Sequence, residues 1–213
     1  MEPRSRPWPG AAVRLPGYAW NKAIGRYRNL STGRFVSRQD ITGLLRDVAD
    51  GAGERLAALG KAAVRGDLTA RQFYELMQRE VKCAYNACAA MAAGGWDRLT
   101  ARDWGRNGYL LKTQYGFLRD FAADIAVGKL SEAQAIARAR LYADSAYSRY
   151  WELDRQKQQA AGVTLASWKT MADDRVCPSC LELEKKGPQP LASWPLPGSG
   201  VHPGCRCDLV YER

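Results

Sequence analysis

Four cysteines and the single histidine of the chain lie near its carboxyl end, at spacings that suit a metal ion. Cys177 and Cys180 form a Cys-x-x-Cys pair, and His202 and Cys205 form a His-x-x-Cys pair beyond a loop rich in Pro and Gly. Each pair can direct two donor atoms to one point, and together they supply the tetrahedral sulfur and nitrogen ligands that Zn²⁺ prefers. The spacing predicts a structural Zn²⁺ bound by Cys177, Cys180, His202 and Cys205. A closed site of four protein ligands has no open coordination position for a substrate.

Cys207 is a fifth candidate donor, either as the fourth ligand in place of Cys205 or as a buried thiol. It follows Cys205 by two residues on a segment with strand character, so strand geometry predicts that its side chain lies on the opposite face unless the chain turns. A redox pair, disulfides and a Cys nucleophile served by His202 are weaker interpretations. No thioredoxin-like βαβ pattern surrounds the pair, a reducing cytoplasm is expected, and a nucleophile would leave the other cysteines unexplained. The zinc deaminase signature is absent, because its histidine precedes the Cys pair.

Other features of the composition argue against catalysis. With one imidazole, a mechanism that needs a histidine base beside a histidine metal ligand is excluded. Asp173 and Asp174 stand beside Arg175 in a pattern typical of a solvated turn rather than of paired catalytic carboxylates. Cys83 and Cys88 fall inside a helical segment and are expected in the core. We therefore expect a protein that is not an enzyme.

The segment 162–213 is predicted to be a small zinc-stabilised module. Its loop between Gly187 and Gly204 is too rich in Pro and Gly to build a core alone, so the metal would hold the two ends of the loop together. Residues 168–171 and 207–211 have strand character and are predicted to pair as an antiparallel hairpin beside the metal.

Residues 37–161 are predicted to form about four helices, arranged as hairpins or a bundle, so the fold class is mainly α. Helices are expected to begin after Ser37, Thr69, Thr100 and Ser131, because each can serve as an N-cap, and the last helix ends near Gln159. The third helix has the most regular apolar spacing, and its apolar stripe is expected to face the core. That stripe consists of Trp104, Gly108, Leu111, Tyr115, Leu118, Ala122 and Ile125.

Residues 1–36 have the period of neither a helix nor a strand, and we interpret them as an extended arm. The chain has 32 Lys and Arg against 22 Asp and Glu, a net charge of +10, and the arm holds seven of these cations and one acid. The arm could neutralise phosphates, stack on bases or anchor to a protein; a solvated tail that aids solubility is the alternative. The candidate binding residues are Arg4, Arg6, Arg14, Lys22, Arg26, Arg28, Arg34, Trp8, Trp20 and Tyr27.

The carboxyl-terminal signature resembles that of the phage head-morphogenesis or minor head proteins, the Mu F-like group. The resemblance covers roughly residues 165–213, under a quarter of the chain. It rests on the run Trp168-x-Thr170-x-x-Asp173-Asp174-Arg175-Val176-Cys177-Pro178-x-Cys180, the Pro/Gly-rich loop, and His202-Pro203-x-Cys205-Arg206-Cys207.

The resemblance implies a low-copy virion protein of the capsid interior or portal vertex, with a role in head assembly or in DNA packaging and delivery. The implied partners are the portal protein, the major capsid protein and packaged double-stranded DNA, with multiple copies around the portal. Such a protein would be made in the cytoplasm of a bacterial host, and the sequence has neither a membrane span nor a secretory signal. The charge and the Cys cluster alone favour an alternative, a zinc-dependent nucleic-acid-binding regulatory protein.

Overall fold

The computed structural model describes residues 18–21, 26–29, 31, 34 and 38–212, and the side chains of residues 28, 29, 31, 34 and 41–212. The prediction of a mainly α fold with a small carboxyl-terminal strand region is confirmed. The helices are α1 (Arg38–Val64), α2 (Ala70–Ala93), α3 (Ala101–Ala126), α4 (Glu132–Ala160) and α5 (Pro178–Lys185), and the strands are β1 (Tyr18–Asn21), β2 (Arg26–Asn29), β3 (Leu165–Lys169), β4 (Gln189–Pro190) and β5 (Asp208–Glu212).

Helices α2, α3 and α4 begin at the predicted caps. The side chains of Thr69, Thr100 and Ser131 each accept a hydrogen bond from the backbone N–H three residues later. The side chain of that later residue in turn accepts from the backbone N–H of the cap residue. These capping boxes satisfy N–H groups that have no partner within the helix. Gly94 ends α2 with a φ of 82°, a left-handed conformation that glycine adopts without steric cost.

The four long helices form a bundle in which α2 and α4 lie at the centre. Helix α1 packs against both α4 and α2, whereas α3 packs along α2. Side chains also join α3 to α4, since the Phe121 ring stacks on Tyr142 and Arg149 donates to Asn107. Helices α1 and α3 are each packed on the central pair and are not packed closely against each other.

Gly60 sets the close approach of α1 to α4. A Cβ atom at this position would lie 3.0 Å from the backbone oxygen of Ala135 and 3.4 Å from the Cβ of Ala139. The absence of a side chain on Gly60 therefore lets the two helix backbones meet directly, with Ala135 and Ala139 fully buried between them.

The predicted carboxyl-terminal hairpin is present, and a third strand extends it. Strand β3 lies between β4 and β5 and pairs antiparallel with both, with Ser167 opposite Val210. Strand β3 begins at Leu165, before the predicted segment 168–171. Neither β4 nor α5 was predicted from the sequence. Trp168 and Trp194 pack with ring centroids 6.0 Å apart, and the indole N–H of Trp194 donates to the Ala166 carbonyl at 2.7 Å. These side chains belong to the same hydrophobic core as the bundle, so the sheet is packed onto the helices.

Part of the predicted arm has regular structure. Strands β1 and β2 pair antiparallel, with Trp20 opposite Tyr27, which corrects the expectation that this segment lacks a regular element. In the part of the chain that the structure describes, no helix has the length and apolar character needed to cross a bilayer.

Candidate metal centre

The Cys-Pro-x-Cys segment forms the start of α5. Cys177 is the N-cap, its Sγ accepts a hydrogen bond from the backbone N–H of Cys180 at 3.3 Å, and Pro178 lies in the first turn. Proline is favourable there because its fixed φ suits a helix and the N–H that it lacks would have no helical partner. The cap brings both sulfur atoms to one side of the turn, with Cys180 buried and Cys177 half-buried.

His202 directs its Nε2 atom at this cysteine pair. Nε2 lies 3.1 Å from the Sγ of Cys177 and 3.3 Å from the Sγ of Cys180. The other ring nitrogen, Nδ1, is 2.8 Å from the Pro203 carbonyl oxygen, which can only accept, so Nδ1 carries a proton. That carbonyl, and the charge of nearby thiolates, raise the pKa of His202. Anchoring through Nδ1 leaves Nε2 as the atom that faces the thiols, the usual arrangement of a histidine that binds a metal.

Cys205 and Cys207 approach Cys180 from the loop side. The Sγ atoms of Cys205 and Cys180 are 3.8 Å apart, and all three sulfur atoms lie within 4.8 Å of one another. The strand alternation expected to separate Cys205 from Cys207 does not apply, because β5 begins only at Asp208. Because its Sγ lies in one group with those of Cys180 and Cys205, Cys207 is not on the opposite face as strand alternation predicted, and both thiols are buried.

Hydrogen bonds among the thiols give them very different acidities. The contact with Cys207 lowers the pKa of Cys205 to about 5 despite its burial, and the same contact raises the pKa of Cys207. Burial raises the pKa of Cys180 to about 12. Cys205 is therefore the more acidic thiol of the pair and Cys207 the less acidic one. A bound metal ion would displace thiol protons, because cysteine binds metals as the thiolate.

Three separations within the cluster are close to those of a tetrahedral metal site. With metal–sulfur bonds of about 2.3 Å and metal–nitrogen bonds of about 2.0 Å, two sulfur ligands lie about 3.8 Å apart and a sulfur–nitrogen pair about 3.5 Å apart. The Cys180–Cys205 separation is 3.8 Å, and the two Sγ–Nε2 distances are 3.1 and 3.3 Å. Two groups of three donors, Cys177–Cys180–His202 and Cys180–Cys205–Cys207, share Cys180. The cluster could hold a metal ion, and Cys180 belongs to it whichever residue completes the set.

A bidentate ion pair joins the two halves of the cluster. Arg206, between the last two cysteines, donates to both carboxylate oxygens of Asp173 at 2.7 and 2.8 Å, and this pairing lowers the pKa of Asp173. Asp173 also accepts from the backbone N–H of Arg175, as expected of a turn residue. The planar guanidinium can make this two-point contact and a lysine cannot, so Arg206 fixes the distance between the Cys177 turn and the terminal cysteines.

Side chains of α1 and α4 hold the backbone around the terminal cysteines. The Tyr147 hydroxyl donates to the Cys207 carbonyl at 3.1 Å, and a carboxylate oxygen of Asp144 accepts from the Gly204 N–H at 3.0 Å. From α1, Arg46 donates to the Arg206 carbonyl at 3.2 Å. Arg46, Asp144 and Tyr147 were not predicted as site residues. A possible signal was the polar Asp144 beside the apolar stripe of α4.

The Pro/Gly-rich loop is docked on α4 through Ser148. The Ser148 hydroxyl donates to the Pro197 carbonyl at 2.9 Å and accepts from the Ser199 N–H at 2.8 Å. Gly198 lies between them with a φ of +87°, and a Cβ there would come within 2.6 Å of Ser148 Oγ. The loop therefore requires glycine at this position and presents His202 and the terminal cysteines from a defined surface of the bundle.

A cleft of about 590 Å³ opens beside the cluster, between α1, α4 and the loop. Its wall includes Asp50, Glu54, Asp144, Arg140 and Arg175. Burial raises the pKa of the Asp144 carboxyl. Because both signs of charge line the cleft, it has no evident preference for an anion or a cation.

The predicted arm residues are only partly described. Arg26, Trp20 and Tyr27 lie in the β1–β2 hairpin, and Arg28 and Arg34 have exposed side chains. The other candidates, Arg4, Arg6, Trp8, Arg14 and Lys22, lie outside the described residues.

No protein-family model, no curated protein and no solved structure matches this chain. The candidate metal centre and the residues that surround it are therefore the basis for a proposed function.

Proposed function

We propose that the carboxyl-terminal module binds one structural Zn²⁺ through Cys177, Cys180, His202 and Cys205. Three thiols and an imidazole are the soft donors that favour zinc over magnesium or calcium. Cys205 is favoured as the fourth ligand because its Sγ lies 3.8 Å from that of Cys180, the separation of two sulfur ligands in a tetrahedral site. Cys207 is the alternative fourth ligand.

The role of this zinc ion would be structural rather than catalytic. Four protein ligands leave no coordination position for water or substrate, so the ion would not activate a nucleophile. It would instead connect the first turn of α5 to the end of the loop, two segments that Asp173 and Arg206 already hold together. A zinc ion here would make the module a rigid projection of the helical bundle.

We infer further that the chain is a phage minor head or head-morphogenesis protein. The observation that carries this inference is the clustering of the family-like signature in one compact unit. Trp168 packs in the core of that unit, Thr170 contacts Glu184 on α5, and Asp173 pairs with Arg206. Each of these motif residues has a partner within the chain, which supports a structural role for the motif rather than a catalytic one.

In this proposal the protein acts at the portal or on the capsid interior, within the virion, during head assembly or DNA packaging and delivery. The bundle would contact the portal or the major capsid protein, and residues 1–36 would reach a neighbouring protein or the packaged double-stranded DNA. The concentration of positive charge in that segment supports contact with a polyanion.

The zinc-dependent regulator is the weaker alternative, because the metal module lacks a basic recognition helix. Helix α5, which carries Cys180, has only eight residues and contains Glu182 and Glu184, whose charges would repel phosphates. A regulator should also bind free duplex DNA with a steep dependence on salt concentration.

The proposal can be tested in virions. Purified, nuclease-treated heads of the source phage should contain the protein by mass spectrometry, and an affinity-tagged chain should co-purify with portal or major capsid protein at moderate salt. Absence from heads, together with specific duplex binding by the purified chain, would reject the head-protein assignment. A Cys180→Ser variant separates the two proposals, because it should lose zinc whether or not the protein is a head component.

A further inference from the structure

The outward face of α3 carries exposed aromatic rings beside exposed cations. Tyr109 and Phe117 are 64% and 56% exposed there. Lys112 and Arg119 are exposed and have no ion-pair partner among residues 41–212. Charge and apolar surface together on one helix face are typical of a surface that contacts another macromolecule.

Small residues separate these cations along the helix. Gly108, Lys112, Gly116, Arg119 and Ala123 follow one another at steps of four, four, three and four, so they form one stripe along the helix. No atom lies within 4 Å of a Cβ built on Gly108 or Gly116. A glycine in a helix interior costs roughly 1 kcal/mol relative to alanine, and no contact within the described chain repays that cost.

Helix α1 has the same pattern with the opposite charge. Gly43, Asp47, Gly51, Glu54 and Ala58 follow one another at the same four steps. The two acids and Ala58 are exposed, and no atom lies within 4 Å of a Cβ built on Gly43. Among the described residues Asp47 has no ion-pair partner, while Glu54 contacts only the exposed Arg140, at 3.3 Å. The α1 stripe thus complements the α3 stripe position by position.

We propose that α3 of one copy of this protein binds α1 of a second copy. With the helices parallel, Lys112 would face Asp47 and Arg119 would face Glu54. The two ion pairs would lie about 10.5 Å apart along the helices, which is about two helical turns. Glycine would lie opposite glycine at Gly108–Gly43 and Gly116–Gly51, so the helix axes could approach closely. The aromatic rings of Tyr109 and Phe117 would cover the edges of the contact.

The two stripes do not meet within one chain, because α1 and α3 are not packed against each other in the described structure. The contact is therefore head-to-tail, and repetition would produce a closed ring or an open filament. Residues 1–36 do not suit the α3 stripe, since seven of them are cations and one is an acid. The stripe is about 22 Å long and one helix wide, so it would bury less than the roughly 800 Å² per partner of a standard interface. The assembly should therefore dissociate on dilution.

The contact can be tested by charge exchange in the full chain. The wild-type sedimentation coefficient should rise with protein concentration at low salt. Lys112→Glu/Arg119→Glu and Asp47→Lys/Glu54→Lys should each remain monomeric over the same range, because each variant presents like charges on both stripes. An equimolar mixture of the two variants should associate again, since each α3 stripe then meets a complementary α1 stripe.

Two further variants distinguish this contact from other effects. Gly116→Gln adds bulk where the chain itself has open space, so it should abolish association while circular dichroism stays unchanged. Arg79→Glu/Lys186→Glu changes the net charge by the same amount as Lys112→Glu/Arg119→Glu, but at exposed positions outside both stripes. This control should associate like the wild type. A wild-type chain that is monomeric at every concentration, or a variant mixture that fails to associate, would overturn the proposal. A monomeric wild type that loses duplex DNA affinity on Lys112→Glu/Arg119→Glu would overturn it in favour of a nucleic-acid surface.

Discussion

Replacement of Cys180 by serine tests the metal centre most directly, because Cys180 belongs to both groups of three donors. Its side chain is buried, and its sulfur lies 3.3 Å from His202 Nε2 and 3.8 Å from Cys205 Sγ. We expect the wild-type chain to bind one zinc ion and Cys180→Ser to bind none. No neighbouring cysteine can take its place, since the other thiols lie on either side of it.

The same variant should lose the stabilisation that zinc confers. At a free zinc concentration 100-fold above the dissociation constant, binding to the native state adds about 2.7 kcal/mol to the free energy of unfolding. For a chain of this length that corresponds to a rise of about 5–11 °C in Tm. The module shares one core with the bundle, so the rise should appear in the main unfolding transition.

Zinc content by mass spectrometry and thermal unfolding by circular dichroism, with and without chelator, measure both effects. Cys83→Ser is the matched control, since Cys83 is half-buried on α2 and belongs to neither donor group, and it should retain zinc and the chelator-sensitive Tm. Comparison of Cys205→Ser with Cys207→Ser identifies the fourth ligand. Full zinc in Cys180→Ser, or an identical Tm with and without chelator in the wild type, would refute the reasoning.

Three other predictions concern helix packing, capping and pH. Gly60→Ala should destabilise the chain by about 1 kcal/mol in urea unfolding, because its Cβ would press on the backbone of α4, whereas Gly105→Ala, in open space, should stabilise it by roughly 0.5–1 kcal/mol. Ser131→Ala should cost about 1 kcal/mol in the same assay through loss of the α4 cap, and no change would show that the cap is unimportant. Arg206 lowers the Asp173 pKa, so this pair stabilises the protein above the unfolded value of about 3.9 and the contribution is lost as the pH falls through the lowered folded value. The urea midpoint of Asp173→Asn should therefore fall less steeply on acidification than that of the wild type, and equal slopes would contradict the assignment.

The long helices could be predicted because their limits are set by local interactions. Thr69, Thr100 and Ser131 bond to groups three residues away, so their effect is visible in the sequence itself. The short helix α5 was missed because eight residues provide too little periodicity, although Cys177 followed by Pro178 is an N-cap followed by a proline. The pairing of β1 with β2 was missed because neither strand has apolar alternation.

The candidate site was predictable as far as its donors are close in sequence. The two-residue gaps of Cys177–Cys180 and His202–Cys205 predicted turns that converge, and Nε2 of His202 does contact both cysteines of the first pair. The position of Cys207 depends on where β5 begins, which is set by pairing with β3, a segment far away in the chain. The anchors on α1 and α4 depend on tertiary packing and leave no local pattern.

Helix α3 shows why a periodic apolar pattern does not by itself identify the core. Of the predicted stripe, Leu111, Leu118 and Ala122 are buried, but Trp104 is 41% exposed and Gly108 faces open space. Because α3 lies at an edge of the bundle, part of its regular spacing falls on a surface that the bundle does not cover. The stripe of glycines and charges on that uncovered surface is the part of α3 that we propose binds a second copy of the chain, because α1 carries the same spacing with the opposite charge.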